Sequence, residues 1–121
     1  MYVIFFTYYV QMEEAKNRFI SEYEKFHKVQ VQEEILLSER IDTLMGNVMN
    51  VILQTDIKKI HEMAIEVKRI SKIMKEYQEF GLLLNERQKL FDMDVVPYEQ
   101  LNTLIKEFEP YQTLWITASG N

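Results

Sequence analysis

The sequence of 121 residues contains no cysteine, only three glycines and only two prolines. Without cysteine, a disulfide scaffold and a cysteine-based zinc site are excluded, so a bound metal would need carboxylates together with His27 or His61. The scarcity of glycine and proline excludes collagen-like and linker-like chains. Hydrophobic residues make up 47% of the sequence and aromatic residues 12%, which is enough apolar surface for the chain to fold.

Sequence motifs for catalysis are also missing. The three glycines are scattered and none precedes a lysine, whereas a phosphate-binding loop needs clustered glycines followed by lysine. The G-x-S-x-G pattern of serine hydrolases does not occur. The single Glu-x-x-His step, from Glu24 to His27, falls short of the paired steps that di-iron bundles use. We therefore predict a protein that is not an enzyme, with no cofactor and no catalytic, cofactor-binding or metal-binding residues.

The overall charge opposes nucleic-acid binding. The net charge is -5 and the isoelectric point is about 5.1, so the field of the whole chain repels phosphate backbones. Lys68, Lys72 and Lys75 form a basic row at helical spacing, but aromatic residues do not alternate with them as in platforms for single-stranded nucleic acid. The sequence predicts no nucleic-acid partner.

The apolar start of the chain, Met1 to Val10, is too short to span a membrane. It has about ten residues, whereas a membrane-spanning helix needs roughly 20. We predict a buried helical turn or strand here, with a membrane-surface anchor as the alternative.

From Glu13 onward the hydrophobic spacing is helical. Apolar residues recur at steps of three and four, first at Phe19, Tyr23, Phe26 and, more weakly, Gln30, and then at Ile41, Leu44, Met45, Val48, Met49 and Ile52. Thr55 and Asp56 offer capping oxygens for a new helix, which predicts a turn at residues 54 to 56.

The next segment has a seven-residue repeat, which is typical of helices packed side by side. One heptad position holds Ile60, Val67, Met74 and Gly81, and the other holds Met63, Ile70, Tyr77, Leu84 and Phe91. A helix from Ile57 to Phe91 would be roughly 52 Å long, whereas a compact chain of this size has a radius of gyration of about 13 to 14 Å. We predict an all-α fold, an elongated antiparallel helical bundle or array with one long heptad-patterned helix.

A connector and a final helix follow. Aspartates and the residue before proline disfavour helix, so residues 92 to 97 are predicted to be a short connector. The last helix is predicted to start near Tyr98 and to kink or restart at Pro110. We expect the helix after Pro110 to be frayed or to bind another molecule, because Leu114 and Trp115 lie within seven residues of the end of the sequence.

The segment from Leu82 to Ser119 contains a series of residues in a distinctive order and spacing, namely Asn85 and Arg87, Leu90 and Phe91, Tyr98 and Leu101, and then Phe108, Pro110, Tyr111, Leu114 and Trp115. This series resembles the start of the linker region of dynein heavy chains. In the family the turn after the Leu90-Phe91 pair usually holds glycine and proline, whereas this sequence has Asp92-Met93-Asp94. The Phe-x-Pro-Tyr string is similar to that of axonemal forms.

The resemblance implies a non-catalytic structural segment of a motor heavy chain. Residues 1–81 would be a tail-like helical segment and residues 82–121 the start of a dynein-like linker, so that the chain joins tail to linker and transmits force. The parent motor would be an ATPase, but its ATPase modules are absent from this chain. The residues expected to act as structural anchors are Leu90, Phe91, Tyr98, Leu101, Phe108, Tyr111, Leu114 and Trp115.

The resemblance also implies protein partners, namely the remainder of a dynein heavy chain or associated dynein subunits. The expected location is cytoplasmic and cytoskeletal, in a ciliary or flagellar axoneme, with no membrane partner. The alternative hypothesis is an independent coiled-coil adaptor that binds a partner helix through the seam formed by residues 60–91. Exposed apolar stripes could also lead to self-association.

Overall fold

The computed structural model describes residues 2–120, and its helices follow the predicted order. Helix α1 spans Tyr2–Leu53, α2 spans Ile60–Leu90 and α3 spans Glu99–Ala118, with a short 3₁₀ helix at Ile57–Lys59. No β-strand occurs in the part of the chain that the structure describes. The prediction of an all-α fold is therefore confirmed.

The chain divides into two compact units, residues 1–33 and residues 34–121. The described part of the first unit is helical throughout and belongs to α1. The second unit contains the rest of α1, the 3₁₀ helix, α2 and α3. Residue 81 lies inside α2, and the division between a tail-like and a linker-like segment at residue 81 stays a prediction.

Three helical segments share one hydrophobic core in the second unit. The core side chains are Leu37, Ile41, Leu44, Val48 and Val51 from α1, Met63, Val67, Ile70, Met74 and Leu84 from α2, and Leu101, Leu104, Phe108 and Trp115 from α3. Seven of the nine members of the predicted heptad seam lie in this core or are packed against it. Of the other two, Gly81 is buried, whereas Phe91 is half-buried and lies just beyond the end of α2. α2 and α3 are antiparallel, since one end of the bundle brings Gly81 beside Tyr98 and the other brings Ile60 beside Trp115.

The turn predicted at residues 54 to 56 lies between α1 and the 3₁₀ helix. The Asp56 carboxylate accepts a hydrogen bond from the backbone N–H of Lys58 at 3.0 Å, which caps the 3₁₀ helix. The Gln54 side chain accepts from the N–H of Asp56 at 3.1 Å. The capping role predicted for Asp56 is therefore confirmed.

The prediction that Met1 to Val10 is buried is wrong for most of its described residues. Met1 lies outside the described residues, and the segment from Tyr2 onward is helical. Val3, Ile4 and Phe6 are exposed, each with at least 70% of its surface accessible. The physical reason is that residues 2–33 form a single helix, and a single helix cannot bury its own apolar stripe.

The expectation for the end of α3 is also corrected. The helix continues through Pro110 to Ala118, so it does not restart there, and a kink at Pro110 stays a prediction. Proline removes only one backbone hydrogen bond, and the buried side chains of Phe108 and Trp115 on either side of it anchor α3 in the core. Trp115 is 6% exposed, so its packing surface lies within this chain, whereas Leu114 is 59% exposed.

Candidate functional site

The connector between α2 and α3, residues 91–98, is attached to α2 by a network of polar side chains. Its centre is Gln88, a polar residue with only 4% of its surface exposed. The side-chain oxygen of Gln88 accepts a hydrogen bond from the backbone N–H of Val96 at 3.1 Å. The side-chain nitrogen of Gln88 donates to the carboxylate of Glu34 on α1. One buried side chain thus links the connector to two helices.

Asn85, one turn before Gln88, forms a second attachment. Its side-chain nitrogen donates to the backbone oxygen of Val96 at 2.9 Å and to the side-chain oxygen of Gln88 at 2.9 Å. Both hydrogens of the amide are used, and both polar backbone groups of Val96 are satisfied. Asn85 is one of the positions in the dynein-like pattern, and the structure gives it a specific role in holding the connector.

The turn that ends α2 is a Schellman motif. The N–H of Met93 donates to the carbonyl of Gln88 at 2.8 Å, and the N–H of Asp92 donates to the carbonyl of Lys89 at 3.2 Å. Asp92 has a φ of 54°, the left-handed conformation that this motif requires and that glycine adopts most readily. Asp92-Met93-Asp94 therefore forms the turn in which dynein heavy chains, the family that this segment resembles, usually have glycine and proline.

Tyr98, the last residue of the connector, packs its ring against α2 beside Gly81. Burial of its ring raises the pKa of the Tyr98 hydroxyl, and the nearby negative charge of Glu34 raises it further. Glu34, Gln88 and Tyr98 therefore form one partly buried group in which α1, α2 and the start of α3 are joined. The arrangement holds three helices in a fixed relation and contains no nucleophile with an activating base.

The structure separates the predicted anchors into three groups. Leu101, Phe108 and Trp115 are buried in the core. Phe91, Tyr98 and Tyr111 are half-buried. Leu90 and Leu114 are exposed, with 82% and 59% of their surface accessible, because they lie off the faces of α2 and α3 that face the core. The structure thus brings Leu101, Phe108 and Trp115 together in the core and places Leu90 and Leu114 on the surface.

Sequence reasoning missed Gln88 and Glu34. Gln88 lies seven residues after Gly81, so continuing the heptad by one step would have placed it on the buried seam. A polar residue at such a position signals a specific hydrogen-bonding role. Glu34 has no comparable signal, because its partner is 54 residues away in sequence.

The described residues form neither a metal-binding cluster nor a helix that could span a membrane. Among residues 2–120, no group of three or more His, Asp or Glu side chains is placed to hold a metal ion. The ring of His27 lies 6.3 Å from the ring of Tyr23, centroid to centroid. Over the same residues, no helix is both long and apolar enough to cross a membrane.

A groove of about 380 Å³ lies at the end of the bundle opposite the connector. Its lining is mostly apolar and includes Ile57, Ile60, Tyr111, Leu114 and Trp115. Ile57 is 72% exposed, so this end of the bundle presents an apolar surface formed by the 3₁₀ helix and α3.

Comparison with known proteins identifies relatives among axonemal dyneins. The chain is 33% identical over 109 residues to human dynein axonemal heavy chain 1, a match that covers 90% of this chain and 3% of the relative. It is 32% identical over 109 residues to the mouse and rat proteins of the same name. The chain spans about 3% of the length of the curated relatives that it matches. No protein-family model and no solved structure matches it. The resemblance to dynein heavy chains is therefore confirmed, and the chain belongs to the axonemal dynein heavy chain family, of which it represents one segment.

Proposed function

We propose that this chain is a non-catalytic segment that joins the tail to the linker of an axonemal dynein heavy chain and transmits force between them. The observation that carries the proposal is the double attachment of the connector to α2 through Asn85 and Gln88. A segment that transmits force must resist bending where its helices join. Because Val96 and Met93 are both bonded to α2, the angle between α2 and α3 is fixed by hydrogen bonds as well as by the core.

The exposed leucines support the proposed partner, the remainder of the heavy chain or associated dynein subunits. Leu90 and Leu114 both belong to the dynein-like pattern and are both exposed. Burying such a side chain contributes roughly 1.5 to 3 kcal/mol when a partner surface exists. Adjoining heavy-chain helices would cover these residues and the apolar groove beside Leu114. The proposed location is the cytoskeleton of the ciliary or flagellar axoneme.

The alternative hypothesis of a coiled-coil adaptor is not favoured. It requires the seam of α2 to be open to a partner helix. Val67, Ile70 and Leu84 on that seam have 0% of their surface exposed, because α3 and residues 37–51 of α1 pack with them in the core. A partner helix could bind this seam only if the bundle opened.

The proposal can be tested in an axonemal dynein heavy chain that contains this sequence. The double variant Asn85→Ala, Gln88→Ala removes both attachments of the connector. We expect microtubule gliding to slow while ATP turnover stays close to that of the parent protein. The matched control is Gln78→Ala, which changes an exposed residue of the same helix.

Hydrogen exchange at the amide of Val96 shows whether the double variant has released the connector. Faster exchange at Val96 with slower gliding supports the proposal. Faster exchange with unchanged gliding speed would show that a rigid connector is not needed for movement, and the force-transmitting role would be wrong.

A further inference from the structure

The outer face of α2, turned away from the core, carries a row of basic residues, which we term the basic stripe. Its members follow one another at alternating steps of four and three residues and are His61, Ile65, Lys68, Lys72 and Lys75. All five are exposed, whereas the opposite face of the helix lies in the core. The next position of the same face is Glu79, which ends the basic stripe.

The three lysines of the basic stripe have no ionic partner among residues 2–120. Arg69, on the flank of the same helix, differs from them because its guanidinium pairs with the Glu66 carboxylate. Lys75 lines a groove between α2 and α3 together with Glu109, but the two side chains form no ion pair. Like charges three and four residues apart destabilise a helix. The stability of α2 therefore does not account for the row, and a ligand with the opposite charge would.

The spacing of the basic stripe fits a second helix. Lys68 and Lys75 are about 10 Å apart along the axis of α2. A helix lying along the stripe repeats its own side chains at the same rise, so carboxylates at steps of three and four residues would each meet one lysine. Ile65 is 71% exposed and lies one turn before Lys68, where it offers an apolar contact to the same partner.

Two other anionic partners fit the basic stripe less well. A nucleic acid would extend beyond the stripe over a chain of net charge -5, and the stripe has no aromatic side chain on which bases could stack. A membrane surface would need a broad apolar face beside the lysines, whereas Ile65 is the only apolar member of the stripe. A short acidic helix meets only the local charges, because screening at physiological salt acts over about 8 Å.

We propose that the basic stripe is a docking surface for an acidic amphipathic helix from outside this chain. Lys68, Lys72 and Lys75 each face a carboxylate of the partner, and Ile65 packs against one of its apolar side chains. The charged hydrogen bonds between lysine and carboxylate supply the specificity for an acidic partner. The proposal does not depend on the force-transmitting role, since neither Asn85 nor Gln88 belongs to the stripe.

Fluorescence anisotropy of a labelled synthetic peptide measures binding to the 121-residue chain. The probe is an alanine-based helical peptide of about 20 residues, with one leucine and three glutamates on a single face at steps of three and four. Its matched control has the same composition, but its glutamates are distributed around the helix. We expect the single-face peptide to bind about tenfold more tightly than the control and to bind less tightly as salt is added. Equal affinity for the two peptides would overturn the proposal.

Two triple variants of the chain locate the binding site. Lys68→Gln, Lys72→Gln and Lys75→Gln together should raise the dissociation constant of the single-face peptide about tenfold or more. The matched control replaces three exposed lysines of α1 that do not all lie on one face, namely Lys16→Gln, Lys25→Gln and Lys28→Gln. It removes the same charge and should change the dissociation constant less than about twofold. Equal losses in the two variants would show that only the total charge matters, and the proposed site would be wrong.

The class of partner is tested with two further probes, an oligothymidine and vesicles that contain phosphatidylserine. We expect both to bind the chain more weakly than the single-face peptide does. If either binds more tightly, and if that binding is lost in the triple variant of the basic stripe, then the occupant is not an acidic helix. Circular dichroism of each variant verifies that it remains folded.

Discussion

Gly81 on α2 and Tyr98 before α3 approach so closely that a side chain at position 81 would collide with the tyrosine ring. A Cβ atom placed on Gly81 would lie 2.9 Å from Cδ2 of Tyr98. Glycine within a helix is less favourable than alanine by about 1 kcal/mol. This approach explains why glycine occurs in the interior of α2. The ring of Tyr98 can pack against α2 at position 81 only if the residue there has no side chain.

Gly81→Ala is expected to lower the free energy of unfolding by about 1 kcal/mol. Overpacking against the tyrosine ring destabilises by about 1 to 3 kcal/mol, whereas the higher helix propensity of alanine stabilises by about 1 kcal/mol. Gly46→Ala is the matched control, since a Cβ atom there would have nothing within 4 Å. It should instead raise the free energy of unfolding by about 0.5 to 1 kcal/mol. Urea denaturation of both variants measures the two changes. An equal gain at the two positions would contradict the close approach of Tyr98.

The turn after α2 provides a second test. Asp92 is the only non-glycine residue with positive φ in the described part of the chain. Asp92→Gly should raise the free energy of unfolding by about 0.5 to 1 kcal/mol, because glycine adopts the left-handed conformation without steric cost. Asp94→Gly, two residues on and without a positive φ, should lower it. If Asp92→Gly is destabilising in thermal or urea denaturation, the aspartate side chain contributes more than its backbone conformation costs.

Much of the second unit could be predicted from the sequence. The heptad in α2 identified the seam because residues seven apart lie on one face of a helix, and Val67, Ile70 and Leu84 on that face are all buried. The capping residue Asp56 and the connector before Pro97 were also recognisable, because caps and residues before proline have local sequence signatures.

The remaining features depend on contacts between distant parts of the chain. Leu90 and Leu101 are both large apolar residues of the dynein-like pattern, yet only Leu101 is buried. Which face of a helix is covered depends on where the other helices of the bundle pack against it, and spacing in the sequence does not show this. Local sequence gives no information about the pairing of Gln88 with Glu34. The helical continuation through Pro110 likewise depends on core contacts on both sides of the proline, which outweigh its local preference.

Trp115 and Leu114 are neighbours in sequence with opposite environments. Trp115→Ala is expected to lower the free energy of unfolding by about 3 to 5 kcal/mol, since it removes a buried aromatic side chain and leaves a cavity. Leu114→Ala is the matched control and should change it by less than about 0.5 to 1 kcal/mol, because Leu114 is 59% exposed. Thermal denaturation of the two variants measures the difference. Similar losses at both positions would mean that Trp115 is not packed in the core.

The raised pKa of Tyr98 predicts that stability falls in alkaline solution. Burial, with the charge of Glu34, keeps the hydroxyl protonated in the folded state to a higher pH than in the unfolded chain. The stabilisation is therefore complete below the ordinary tyrosine pKa of about 10 and is lost as the pH rises through the folded-state pKa.

Tyr98→Phe removes this ionisable group, so its free energy of unfolding should fall less steeply between about pH 9 and pH 11 than that of the parent chain. Glu34→Gln should have a smaller effect in the same direction, because it removes the charge but leaves the ring buried. Urea denaturation at a series of pH values gives both slopes, and the same slope for Tyr98→Phe and the parent chain would show that Tyr98 ionises equally easily in the folded and unfolded states.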